Sequence, residues 1–161
     1  MSDTTKNNGG VGKQVASRYL GKHKSFRAPT SGLEDVVFHP SLLATEFEKF
    51  NDRLANYVGV SFKHFGLPMR KALRKLVKPL FVLPEQPDSD SKWNATNVVV
   101  WTDAFTKVKD DSRRFTEANQ KVFKIMKHHS NPAMMQNLRT HADWDEVEDD
   151  MDGVGLSILL Q

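Results

Sequence analysis

The strongest chemical pattern in this 161-residue chain is a row of cations. Lys63, Arg70, Lys71, Arg74, Lys75 and Lys78 are the six Lys and Arg residues of positions 63–78, which hold no acid. From Arg70 onward they recur largely at steps of three and four, the spacing that gathers side chains on one face of a helix. Such a stripe can follow a phosphate backbone, each cation displacing a condensed counterion. The same residues also fit a solvated face, or one that balances the seven acids crowded into residues 143–152. The opposite stripe, Met69, Ala72, Leu73, Leu76 and Val77, has the make-up of a core. It lacks the Trp or Phe that a membrane-surface helix sets beside its cations.

Other chemistry is spelled less completely. Asn8-Gly9-Gly10-Val11-Gly12-Lys13-Gln14 ends like a phosphate-binding loop, but that loop needs Gly at position 7, Ser or Thr at 14 and a strand before it. Glu148-x-Asp150-x-Asp152-Gly153 resembles the front of a calcium loop. Its twelfth position is Leu159, where a bidentate Glu is required. His128 and His129 are adjacent on a helix and point about 100° apart, so they do not chelate one ion together; they read as helix-end cations. Ser, His and Asp occur without a Gly-x-Ser-x-Gly turn. Cysteine is absent, which removes disulfides, thiolate metal sites and a cysteine nucleophile. The expectation is a chain that is not an enzyme, with no catalytic residue, metal, cofactor or small-molecule substrate.

The net charge of +3 conceals an asymmetry: residues 1–80 carry +8 and residues 81–161 carry −5. Opposite halves of this kind suit two partners, or two copies of one chain. No run of about 18 apolar residues occurs, so no membrane span is expected. Met1 to Gly12 is polar and rich in Gly and Asn, unlike a secretory leader, and a cytoplasmic location is the expectation.

Residues 1–32 read as a flexible basic arm, punctuated by Gly9, Gly10, Gly12, Pro29 and Gly32. Val36, Val37 and Phe38 fit either a short strand or a plug docked on the core. Thr45 and Glu48 read as a capping box opening a helix. Phe47, Phe50, Leu54, Tyr57, Val58, Phe62 and Phe65 continue its apolar face as far as Gly66. A second helix is expected from Pro68 to Lys78, and a linker at about 84–95. Trp101, Val108, Phe115 and Val122 lie seven apart and mark a long helix from Thr96 to His129, roughly 50 Å in length. Asn131 and Asp143 read as caps of two short helices, with Met134, Met135, Leu138, Trp144 and Val147 inward. A last apolar stretch comes after Gly153, and its helix is expected to continue beyond Gln161 in a longer reading frame. The fold class is all-α: an irregular helical bundle with one long helix over residues 33–161, preceded by the arm.

Several stretches, taken in order, resemble the Gag-like proteins of copia-type retrotransposons of the kind found in diatom genomes. Gly32-Leu33-Glu34-Asp35-Val36-Val37-Phe38 resembles their early apolar segment. Asn56-Tyr57-Val58-Gly59-Val60-Ser61-Phe62-Lys63-His64-Phe65-Gly66 resembles their E-Y-V-G-x-x-Y-K-x-G-G segment. The helix from Trp101 to Phe123, Met134-Met135-Gln136-Asn137-Leu138-Arg139, Trp144-Asp145-Glu146-Val147 and Asp152-Gly153-Val154-Gly155-Leu156 are similar to that family's later segments. Plant copia Gag regions are a looser likeness. Lys127-His128-His129-Ser130 departs from the family's Trp-Gly-Gln-Cys, and no Cys/His knuckle is present to be carried over.

The resemblance implies a structural role: self-association into particles that enclose RNA, with no reaction catalysed. The expected partners are therefore a second copy of the chain and RNA, the latter through the basic face of Lys63, Arg70, Lys71, Arg74, Lys75 and Lys78. A helical nucleic-acid-binding module without assembly is the alternative.

Overall fold

A computed structural model describes residues 32–86 and 95–161. The basic arm, the loop-like Asn8–Gln14 stretch and most of the expected linker lie outside the described residues. The rest is all-α, with six helices and a 3-10 turn among the described residues: α1 (Ala44–Ser61), the turn Lys63–Phe65, α2 (Gly66–Lys75), α3 (Ala95–His129), α4 (Pro132–Leu138), α5 (Trp144–Asp149) and α6 (Gly153–Leu159).

The apolar periodicity of α1 buries Phe47, Leu54, Ala55 and Val58, with Asn51 among them. The start of this helix differs from the expectation. Leu43 is the N-cap residue, and its backbone N–H donates to Glu46 Oε2 at 3.2 Å. The reach-back is therefore made by Glu46, not by Glu48 to Thr45; two glutamates lie two residues apart, and the motif recurs in the wrong register. The end differs too: α1 stops at Ser61, because the chain tightens into the 3-10 turn before α2 begins. Gly66 makes that junction possible. A Cβ there would lie 2.6 Å from the Gly59 carbonyl oxygen, so only glycine lets the two helices close into a hairpin.

The second helix ends at Lys75, three residues before the expected Lys78. Leu76 turns left-handed at φ 53°, and residues 77–86 form neither helix nor strand. Parts of that segment lie against α3. The Phe81 and Phe115 rings stand 5.8 Å apart, and Trp101 Nε1 donates to the Pro84 carbonyl at 3.3 Å.

Residues 33–38 form a plug and not a strand of a sheet. Leu33, Val36 and Phe38 are buried, and Phe38 sits edge-on to Phe50 and tilted against Phe47. A single parallel bridge joins Phe38 to Ser130: Phe38 N–H donates to the His129 carbonyl at 2.8 Å, and Asn131 N–H to the Phe38 carbonyl at 2.9 Å. His129 is fully buried, and its Nδ1 donates to the Val36 carbonyl at 2.6 Å. At the end of α3, where the sequence places it, it clamps the plug, because the incoming segment covers that end.

The two expected caps of the short helices have different outcomes. Asn131 Oδ1 accepts from Met134 N–H at 2.7 Å, with Pro132 in the first turn, as the spacing implies. Asp143 precedes α5 without capping it through its side chain. Asp152 does cap α6, accepting from Gly155 N–H at 3.0 Å. Gly153 lets α6 press on α3 backbone to backbone: a Cβ there would meet the Asn119 oxygen at 2.7 Å and the Phe123 nitrogen at 2.8 Å.

Two buried polar knots tie the helices. Asn51 Nδ2 donates to the Leu73 carbonyl at 2.9 Å while its Oδ1 accepts from Ser157 Oγ at 2.9 Å, joining α1, α2 and α6. Asn119 Nδ2 donates to Asp152 Oδ1 at 2.8 Å while its Oδ1 accepts from Val154 N–H at 3.0 Å, joining α3 to α6. Each buried amide is satisfied at both ends, so neither carries the cost of an unpaired polar group.

Candidate functional site

The six expected cations do not form one free stripe. Arg74 is bound to Asp52 at 2.6 Å and to Asn56 Oδ1 at 3.1 Å, both on α1. Lys78, past the end of α2, pairs with the nearly buried Asp152. Arg70 lies across Gly59, its side chain filling the space a Cβ would need, and is only half-exposed. Lys71 and Lys75 are exposed and make no ion pair with the described residues. Lys63 stands away from α2 on the 3-10 turn, also without such a partner, and faces a cleft against α3.

Lys78 and Asp152 form one link between the basic and the acidic parts of the chain. Burial pushes the Asp152 carboxyl up, but the Gly155 N–H, the Lys78 ammonium and the Asn119 amide outweigh it and hold it below its ordinary range. Within the acidic half, Lys127 pairs with Glu148 at 2.6 Å, with Trp144 Nε1 donating to the other Glu148 oxygen at 2.9 Å. The Lys127 hydrogen bond holds Glu148 below the usual carboxylate value, against a smaller opposing effect of burial. Two of the three acids of the calcium-like stretch are thus engaged: Asp152 by a helix cap and Lys78, Glu148 by Lys127. Among the described residues no three His, Asp or Glu converge in a way that could hold a metal ion.

No protein-family model matches this chain, and no curated protein or solved structure matches it. Geometry and charge therefore carry the functional reading.

A run of exposed apolar side chains lies on the N-terminal half of α3. Every buried residue of this helix lies at Phe115 or beyond. Before it, Val98, Val99 and Val100 are exposed, the last by 63%. Trp101, Phe105 and Val108 are half-exposed; the 77–86 segment lies beside them, and its own Leu80 and Val82 face solvent at 87% and 68%. Trp101 and Phe105 stack on each other at 5.1 Å, and Lys109 caps the Phe105 ring at 4.6 Å. Between Phe81, Leu83 and Val108 the surface opens into a groove of about 560 Å³. Among the described residues no helix is long and apolar enough to cross a membrane, so this apolar ledge is not a span.

Proposed function

We propose that this chain is a non-catalytic, cytoplasmic helical assembly domain that pairs with further copies of itself through the N-terminal half of α3. The observation that carries the reading is the apolar run Val98, Val99, Val100, Phe105 and Val108. Val108 continues the seven-residue repeat of the buried Phe115 and Val122, yet none of these five residues is buried among the described residues. A repeat of that period is what a second helix of the same kind fits, knob into hole. A two-fold pairing would bury the same surface on both copies and leave no open edge. The mixed charges around the seam, Asp103, Lys107, Lys109, Asp110 and Arg113, allow either helix direction. This is the structural role that the Gag-like resemblance implies, in which copies pack around RNA.

A nucleic-acid-binding module without assembly is a second reading. It is favoured by Lys71 and Lys75, which are exposed and free of ion pairs among the described residues.

Sedimentation velocity across a hundredfold range of concentration tests the first reading. The wild-type chain is expected to sediment faster as concentration rises, and Val98→Glu with Phe105→Glu to remain monomeric with unchanged helical circular dichroism. A wild-type chain that stays monomeric throughout would refute self-association.

A further inference from the structure

A second surface has the make-up of a ligand site and lies outside the α2 stripe. A cleft of about 620 Å³ opens between the C-terminal end of α1, the 3-10 turn and the middle of α3. That volume is within the range of small-ligand sites and far too small to admit a duplex. Its apolar lining is aromatic: Tyr57 and Phe62, both half-exposed, over a buried Phe65. Its rim is basic: Lys63 from the turn, and Arg114 and Lys121 from α3. All three cations are exposed and none forms an ion pair with a described residue. The one carboxylate at the rim, Glu117, is already engaged by Arg113 at 3.3 Å.

Two further facts favour an occupant. Arg114 and Lys121 are seven residues apart, and Lys107 is seven before Arg114, so the three lie on one edge of the helix at steps of roughly 10.5 Å. Lys63 has φ 38°, a backbone conformation that an L residue rarely adopts and that places this side chain at the mouth of the cleft.

We infer that this cleft takes a single strand of nucleic acid, one base against the Tyr57 and Phe62 rings and the adjoining phosphates on Lys63, Arg114 and Lys121. Aromatic faces next to unpaired cations are the combination that single-stranded sites use, the rings holding bases and the cations the backbone. An acidic peptide would engage the cations but has no use for the rings. The inference rests on the reading that the chain contacts nucleic acid, and is independent of self-association.

The test is fluorescence anisotropy of a labelled 12-residue oligouridylate, titrated at several salt concentrations. Lys63→Ala with Arg114→Ala and Lys121→Ala removes three phosphate contacts and should flatten the plot of log affinity against log salt by about 2. Tyr57→Leu with Phe62→Leu, which keeps apolar bulk, should weaken binding by roughly tenfold or more without changing that slope. Lys71→Ala with Lys75→Ala, outside the cleft, should leave the loss caused by the ring substitutions unchanged. Should the triple variant lose helical circular dichroism, the exposed Lys121→Glu alone serves, with the same direction of effect. An unchanged cleft variant beside a flattened Lys71/Lys75 variant would overturn the cleft while leaving nucleic-acid contact standing. Absence of wild-type binding at low salt would overturn both. Competition by polyglutamate as strong as by unlabelled oligouridylate would reassign the cleft to acidic peptides and overturn the inference.

Discussion

The two halves of α3 are one continuous helix in two different solvents. From Phe115 to His129 it is enclosed: Phe115, Ala118, Val122, Phe123 and Met126 are buried, α6 presses on its backbone at Gly153, and the plug closes over His129. From Ala95 to Arg114 not one residue is buried, although the apolar line Trp101, Val108, Phe115, Val122 runs through both halves. What differs is tertiary cover, which supplies most of a helix's stability in water. Among the described residues, the first half of the longest helix thus carries apolar side chains with little to bury them.

The contrast can be broken most directly by truncating one side chain in each half. Met126, fully buried, should cost roughly 2–5 kcal/mol when replaced by Ala. Val99→Ala, at a position 56% exposed, should change monomer stability by less than about 0.5 kcal/mol. Urea denaturation at a concentration where the chain is monomeric checks both. Equal costs would mean that the halves are equally packed.

A smaller effect separates the knot that fixes the covered half. Asp152 has its pKa lowered in the folded state, so its contribution is present above the unfolded value near 4 and disappears as pH falls through the folded one. Asp152→Asn should cost about 1 kcal/mol at pH 7, through the lost Lys78 pair. It should also make the loss of stability below about pH 4 shallower than in the wild type. Some acid sensitivity would remain in the variant, because Glu148 is also held down, by Lys127. Denaturation midpoints at pH 7, 4 and 3 measure this; identical acid limbs would contradict the role given to Asp152.

The long helix is easy to see in the sequence, because four residues seven apart keep one apolar line over three heptad steps, and Asn131 is legible there as a cap. The sequence is less informative where backbone geometry decides. Leu76 ends α2 in a left-handed conformation usually taken by glycine, so the pattern of Lys and apolar residues runs on to Lys78 without a stop. The polar knots are also hidden, since Asn on a helix reads as solvent-facing. A signal exists: Asn51 falls in the stripe Phe47, Leu54, Val58, and Asn119 in the stripe Phe115, Val122, Met126, each at steps of three and four. An amide inside an apolar stripe has to find a buried partner. The cations read as one stripe in the sequence because spacing shows which face a side chain shares but not which acids from other helices meet it. Asp52 and Asp152 claim Arg74 and Lys78, while Arg114 and Lys121, far along the chain, stand at the cleft with Lys63.

Hydrogen exchange resolved along α3 measures the uncovered seam most directly. At low concentration, amides of residues 99–114 are expected to exchange much faster than those of residues 115–129. Raising the concentration should slow the first set and leave the second unchanged, as a second copy covers the exposed half. Exchange in residues 99–114 that is indifferent to concentration, or already as slow as in residues 115–129 when the chain is dilute, would contradict assembly through this helix.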